Sequence, residues 1–204
     1  LLAGQQEVAD PHRIFGLNVD EETFNSVSDA NFLTTDAAEF FFTPTVVSTG
    51  NELILFDTGQ SANGIIRALA GAGYDPQDVT HVVITHMHGD HIGGLTDNSG
   101  NPTFANAAYV TGQVEYDAWA ARDNDGFETK VRPLAERMSF VADGDAVRSG
   151  ITGVAAFGHT PGHMGYMLES GGKQLFLMAD VANHYVWSVA YPEWEVRFDQ
   201  DKAM

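Results

Sequence analysis

Thr85-His86-Met87-His88-Gly89-Asp90-His91 places three histidines and one aspartate within six consecutive positions, and the reading of the chain starts there. Imidazole nitrogen and carboxylate oxygen are common ligands of a hydrolytic metal, and crowding them is costly unless something binds between them. Upstream, Val82-Val83-Ile84 is a short β-branched run that predicts a buried strand. Downstream, Ile92-Gly93-Gly94-Leu95 offers glycines where the backbone passes close to its neighbours. The motif therefore sits where a strand ends and the chain turns toward a helix, the usual place for a site in an α/β protein. A polar loop of solvated histidines is the bland alternative, and four metal-competent side chains at this spacing weigh against it.

The pattern H-x-H-x-D-H resembles the signature of the metallo-β-lactamase fold superfamily. The resemblance implies an α/β (α+β) protein, an αββα sandwich of two mixed β-sheets flanked by helices. It makes His86 and His88 ligands of a first metal and Asp90 and His91 ligands of a second. The implied cofactors are two divalent metal ions, zinc foremost, with Fe or Mn as the other candidates. The likeness is closest to the methyl parathion hydrolase and lactonase-like branch. It rests on T-H-x-H-x-D-H-x-G-G, G-H-T-P-G-H and a late V-R-F-D, of which only the last points to that branch.

Further candidates follow from the same resemblance. Gly158-His159-Thr160-Pro161-Gly162-His163 is a tight loop after a strand-like run. His163 takes the place of the family's ligand, and His159 is expected to brace the loop through a hydrogen bond. Asp180 follows the apolar run Phe176-Leu177-Met178-Ala179, where a carboxylate needs a compensating partner. The resemblance makes it a bridge between metals, against the alternative of a turn cap. Asp57, after Leu53-Ile54-Leu55-Phe56, is implied to orient a ligand histidine, against a plain turn carboxylate. Asp90 is read as both ligand and catalytic proton acceptor. Tyr185, Trp187, Tyr191 and Trp194 suggest an apolar pocket wall with His184 at its rim, and ordinary core packing explains them equally well. A two-metal member carries one more histidine well beyond the aspartate matching Asp180, whereas the only later histidine here is His184. Arg197-Phe198-Asp199-Gln200-Asp201-Lys202 reads as a running chain cut within an element. The expectation is a domain lacking its C-terminal segment, with its second metal site in doubt.

Bulk properties set the outer limits. The 204 residues are read as one domain, with residues 1–30 a polar N-terminal arm of the same domain and 31–204 its metallo-β-lactamase-like body. No apolar run is long enough to cross a membrane. With no cysteine, any metal must be held by nitrogen and oxygen. A net charge of −18 repels nucleic acid and anionic membranes, so the expected partner is a small-molecule substrate, with a homodimer compatible. The chain opens on Leu1-Leu2 without methionine, which suggests a processed form; the compartment stays open, bacterial cytoplasm or periplasm being compatible.

Along the chain, residues 40–48 predict a strand made irregular by Pro44, 62–73 a helix, 114–121 a helix and 128–138 a second helical pattern. Ser170-Gly171-Gly172-Lys173 predicts a hairpin turn. The function expected is metal-dependent hydrolysis of a neutral ester, lactone or organophosphate-type substrate by a metal-activated water. The alternatives are a glyoxalase II-like thioesterase, a mononuclear iron persulfide dioxygenase-like oxidoreductase, and a non-catalytic binding module with this fold.

Overall fold

The computed structural model describes residues 1–200, so the last two positions of the Arg197–Lys202 stretch lie outside the described residues. The chain builds two main sheets. The first is ordered β3 (Thr45–Ser48), β4 (Leu53–Phe56), β5 (His81–Val83), β6 (Ala108–Gly112), β7 (Met138–Val141). Only the β3–β4 hairpin in it is antiparallel. The second sheet is antiparallel throughout, ordered β11 (Lys173–Leu177), β10 (Met164–Ser170), β9 (Ile151–Ala155), β8 (Ala146–Arg148). A separate two-stranded ribbon pairs β1 (Gly4–Ala9) with β2 (Ala37–Phe42).

Period-two alternation explains why β4 is apolar at every position. Leu53 and Leu55 face a helical layer with Ile65 and Leu69 of α2 (Ala62–Gly71) and Trp119 of α4 (Gln113–Ala120). Ile54 and Phe56 face the second sheet and pack with Ile151, Met164 and Tyr166. Val82 and Val83, and Tyr109 and Val110, divide in the same way between the two clusters. A strand buried on both faces cannot alternate with polar residues. The architecture is the expected sandwich of two sheets with helices packed on it.

Three local expectations are refined. Residues 40–48 form two strands in different sheets, because Pro44 has no N–H to donate and the ladder breaks there. Residues 128–138 are not a regular helix: a π turn (Phe127–Val131) passes into a 3₁₀ turn (Arg132–Arg137). Pro133 removes one amide from the ladder at that junction. The first thirty residues are more than an arm. They supply β1 and α1 (Glu21–Ala30), whose N-terminus is capped by Asp20 accepting from Thr23 N at 2.8 Å.

Phe24 of α1 and Phe15 bury their rings against Trp187, with centroids 5.2 and 5.3 Å away. Trp187 is 1% exposed and donates its indole N–H to Ser28 Oγ at 3.0 Å. This corrects the expectation that Trp187 walls the pocket: it is the core of a third cluster, shared with Trp194 and Val196. Tyr191 packs against the same cluster. Replacing Trp187 with Ala removes that core and the indole bond to Ser28, whose hydroxyl still donates to Phe24 O at 2.8 Å, so the expected loss of unfolding free energy is about 3–5 kcal/mol. Denaturant titration of wild type and variant checks it.

Candidate metal centre

The turns that follow β4, β5, β9 and β11 carry the titratable residues. β5 leads into Thr85–His88 and then the one-turn helix α3 (Gly89–Ile92), which carries Asp90 and His91. The chain passes so close to its neighbour there that a Cβ on Gly94 would lie 2.4 Å from Thr58 O. That is the close approach the glycine pair predicts. The loop after β9 carries His159 and His163, and the turn after β11 carries Asp180.

Two donor groups form, His86 with His88 and His159, and His86 with His91 and Asp180; within each, ligand atoms lie within 4.8 Å of one another. His88 Nδ1 stands 3.1 Å from His86 Nε2 and 2.9 Å from His159 Nε2. Asp180 lies between the groups. Its Oδ1 is 3.3 Å from His91 Nε2, while Oδ2 is 3.5 Å from His159 Nε2 and 4.0 Å from His86 Nε2. Asp90 Oδ2 is 3.7 Å from His91 Nε2 on the side of the second group.

Around the donors, carboxylates fix ring orientation. Asp57 Oδ1 accepts from Thr85 N, and Oδ2 accepts from Thr85 Oγ1, both at 2.8 Å. Oδ2 also meets His91 Nδ1 at 2.8 Å, which turns His91 Nε2 toward Asp180 and Asp90. Asp199 Oδ1 does the same for His159, meeting Nδ1 at 2.8 Å and leaving Nε2 to face His88. A carboxylate holding the far nitrogen is the usual way a protein selects the tautomer of a metal-binding histidine. Asp57 and Ala179 both have left-handed backbones, φ 59° and 47°, a strain of about 1–3 kcal/mol each that tertiary packing must maintain.

The electrostatics suit a cation. Burial, reinforced by the neighbouring imidazoles, depresses His86 well below the ordinary histidine value, and burial with His159 nearby takes His88 down to about 4. Both are therefore neutral near pH 7 and carry lone pairs. Burial alone would lower His91, but Asp57 and Asp180 outweigh it and raise it well above the ordinary value. Burial also works against ionised Asp180, yet its hydrogen bond to His91 holds it below the usual carboxylate range. Asp90 is raised, chiefly by burial. Donors on a tetrahedral zinc stand ~3.3 Å apart, given bonds of about 2.0–2.1 Å, close to the separations within the first group. Three ring nitrogens converging with at most a proton between any two make a nitrogen-and-oxygen donor set that fits a divalent metal.

His163 lies in neither donor group. Its Nε2 accepts from Asp180 N at 3.2 Å, its Nδ1 has no hydrogen-bond partner among the described residues, and burial lowers it to about 4. Its carbonyl is engaged by Ala156 N at the entry to β10, so its ring packs behind His86 with centroids 4.9 Å apart. His159 occupies the converging position instead. Of the other candidates, Tyr185 and His184 line the adjoining cavity. His184 also caps the turn Tyr185–Ala190, accepting from Val186 N and Trp187 N, and stacks on Trp187. Asp199 and the buried Glu115 escaped the sequence reading. Asp199 lies in the V-R-F-D segment, which was read only as a family mark, and Glu115 carries no local signal.

A cavity of about 650 Å³ opens beside His91, Asp90 and Asp180. Phe15, Phe40, Phe42, Phe176 and Met178 contribute to its wall, and no Lys or Arg among the described residues lines it.

The chain is similar to several known proteins. A family profile described as Metallo-beta-lactamase superfamily matches residues 43–200. The chain is 28% identical over 106 residues to an N-acyl homoserine lactonase from a Bacillus species, covering 52% of this chain and 39% of the relative. It is 30% identical over 145 residues to the lactamase-like protein nscB of Aspergillus fumigatus, covering 68% of this chain and 37% of that protein. The chain thus spans about two fifths of the length of these curated relatives. AidC, a dizinc quorum-quenching lactonase solved with a product bound, superimposes with a TM-score of 0.87 at 22% identity, covering 99% of this chain and 77% of that one. The hydrolase AbOPH gives a TM-score of 0.86 at 22% identity, covering 99% and 76%.

Asp57→Asn keeps the acceptor for Thr85 N and tolerates the left-handed backbone, but its amide cannot hold both Thr85 Oγ1 and His91 Nδ1 as the carboxylate does. Affinity for zinc at the His91–Asp180 group is expected to fall about 10–100-fold, as read by chelator competition.

Proposed function

The chain belongs to the metallo-β-lactamase superfamily, and on that premise we propose that it is a metal-dependent hydrolase of a neutral lactone or ester bearing an apolar substituent. One observation carries the reading: two adjoining nitrogen-and-oxygen donor groups open onto a cavity with a phenylalanine-rich wall and no lining Lys or Arg among the described residues. The likeness to N-acyl homoserine lactonases supports the lactone class.

The assigned ligands are His86, His88 and His159 for one cation and Asp90 and His91 for the other, with Asp180 between them. When bound, divalent cations, zinc foremost, supply Lewis acidity toward a substrate oxygen and a water made acidic enough to ionise near neutral pH. The protein's own groups do the rest. Asp57 and Asp199 hold His91 and His159 in the tautomers whose Nε2 faces the centre. Asp90, partly open to the cavity, is placed to accept the proton of the attacking water and return it to the departing alkoxyl oxygen. The products are a carboxylate and an alcohol. Phe40, Phe42 and Phe176 remove water from the apolar part of the substrate, while Tyr185 stands at the mouth.

Thioesterase or persulfide oxygenase chemistry on a glutathione conjugate requires cations for the peptide carboxylates. The cavity offers Glu39, Asp90 and Asp180 instead, which repel them. Zinc-loaded protein is expected to hydrolyse uncharged lactones and esters at least about 10-fold better by kcat/KM than anionic thioesters, a difference of ~1.4 kcal/mol in transition-state binding. Chelation should abolish turnover and zinc should restore it. Uptake of one iron with oxygen consumption, or no hydrolysis across lactone, ester, thioester and phosphotriester panels with metal restored, would overturn the reading.

The ligand assignment has its own test. His159→Ala is expected to lose one bound metal by elemental analysis, whereas His163→Ala keeps both and loses stability.

A further inference from the structure

Glu115 is 0% exposed, and no role has yet been given to it. It sits in the first turn of α4, and its carboxylate faces four donors. Oε1 accepts from Met87 N at 2.9 Å and from Trp119 Nε1 at 2.7 Å. Oε2 accepts from Thr160 Oγ1 at 2.8 Å and from Gly162 N at 2.9 Å. One edge therefore holds the loop after β5 and the other holds the loop after β9.

The attachment points lie one residue from the metal donors. Met87 is flanked by His86 and His88, and Thr160 follows His159. The indole that Glu115 anchors also meets the His88 ring edge-on, with centroids 5.8 Å apart. There is no slack in the arrangement: a Cβ on Gly162 would lie 2.1 Å from Glu115 N, so the second loop is seated directly on the helix. His86, His88 and His159 come from two loops 71 residues apart at their closest pair; Met164 N bonds Thr85 O at 2.9 Å where the two loops end, but among the described residues no backbone hydrogen bond outside the regular elements joins Met87 or His88 to residues 158–162, where the donors converge.

We propose that Glu115 is the positioning residue of the first metal group: its carboxylate sets the spacing of the two histidine loops and thereby the affinity of the donors they carry for the cation. This rests on the metal-centre reading above. A buried carboxylate suits the task because it can accept on both edges at once, whereas an amide of the same shape accepts on one only. With Glu115→Gln, whichever way the amide turns, one loop loses its anchor and an N–H faces an N–H.

The experiment is a zinc titration against a chelator of known affinity, run on wild type, Glu115→Gln and Leu134→Ala. Leu134 is buried in the helical cluster and its side chain makes no hydrogen bond, so its truncation lowers stability while all four hydrogen bonds of Glu115 keep their partners. The expected result is a 10–100-fold loss of affinity for one of the two zinc ions in Glu115→Gln, with the second ion bound less than threefold weaker. The visible spectrum of the cobalt-substituted protein should shift in Glu115→Gln and stay unchanged in Leu134→Ala. Equal zinc affinities in wild type and Glu115→Gln, or a loss no larger than that of Leu134→Ala at matched unfolding temperature, would refute the positioning role. If wild type itself binds no zinc, cobalt, iron or manganese, the metal-centre reading fails, and this inference with it.

Discussion

Imidazoles and carboxylates crowd the ends of the strands, several of them fully buried, and the cost of keeping them from water constrains the rest of the structure. A buried polar group without a partner costs about 1–3 kcal/mol, and an unpaired charge costs more. His86, with no exposed surface, is therefore neutral and aimed at other nitrogens. His91 is held between carboxylates, and Asp180 is ionised because His91 and the other imidazoles surround it. The donor groups are arranged to share charge among themselves, and a divalent cation between them completes that sharing.

Three carboxylates outside the donor groups make the crowding tolerable, each by a different route. Asp57 reaches from the end of β4 to tie Thr85 and His91 together across the first sheet. Asp199 reaches His159 from the far end of the described chain. Glu115 ties backbone to backbone, acting on the loops instead of on a ring. The sandwich supplies the rigidity they need. β4, β5 and β6 are buried on both faces, so the strand ends from which these loops depart have little freedom to move.

Much of the fold was legible because its signals are local. The apolar runs of β4 and β5, the two glycines of the β10–β11 turn at φ 56° and 74°, and the capped start of α2 all follow from nearest-neighbour physics. Pro44 was visible as an irregularity, but what it interrupts depends on which sheet the flanking residues join. Trp187 looked the same as a pocket aromatic, since an aromatic after a loop carries no mark of its inward or outward face. Only the packing of Phe15 and Phe24 from the opening residues decides it.

By itself, the sequence determined that a nitrogen-and-oxygen metal site lies after a buried strand, because ligands spaced within one turn must converge wherever the chain goes. It also determined the sandwich class, through the run of β-branched strands and the motif that terminates β5. It could not determine which histidine of Gly158–His163 converges with His86 and His88. Both are adjacent to the same turn, and the choice depends on β10 engaging His163 at its start while Asp199 pulls His159 toward His88. Nor could it assign Glu115, whose four partners lie in three separate stretches of chain. Hydrogen-bond partners distant in sequence are brought together only by the packed sheets, so residues whose role is to join loops stay invisible until the tertiary structure exists.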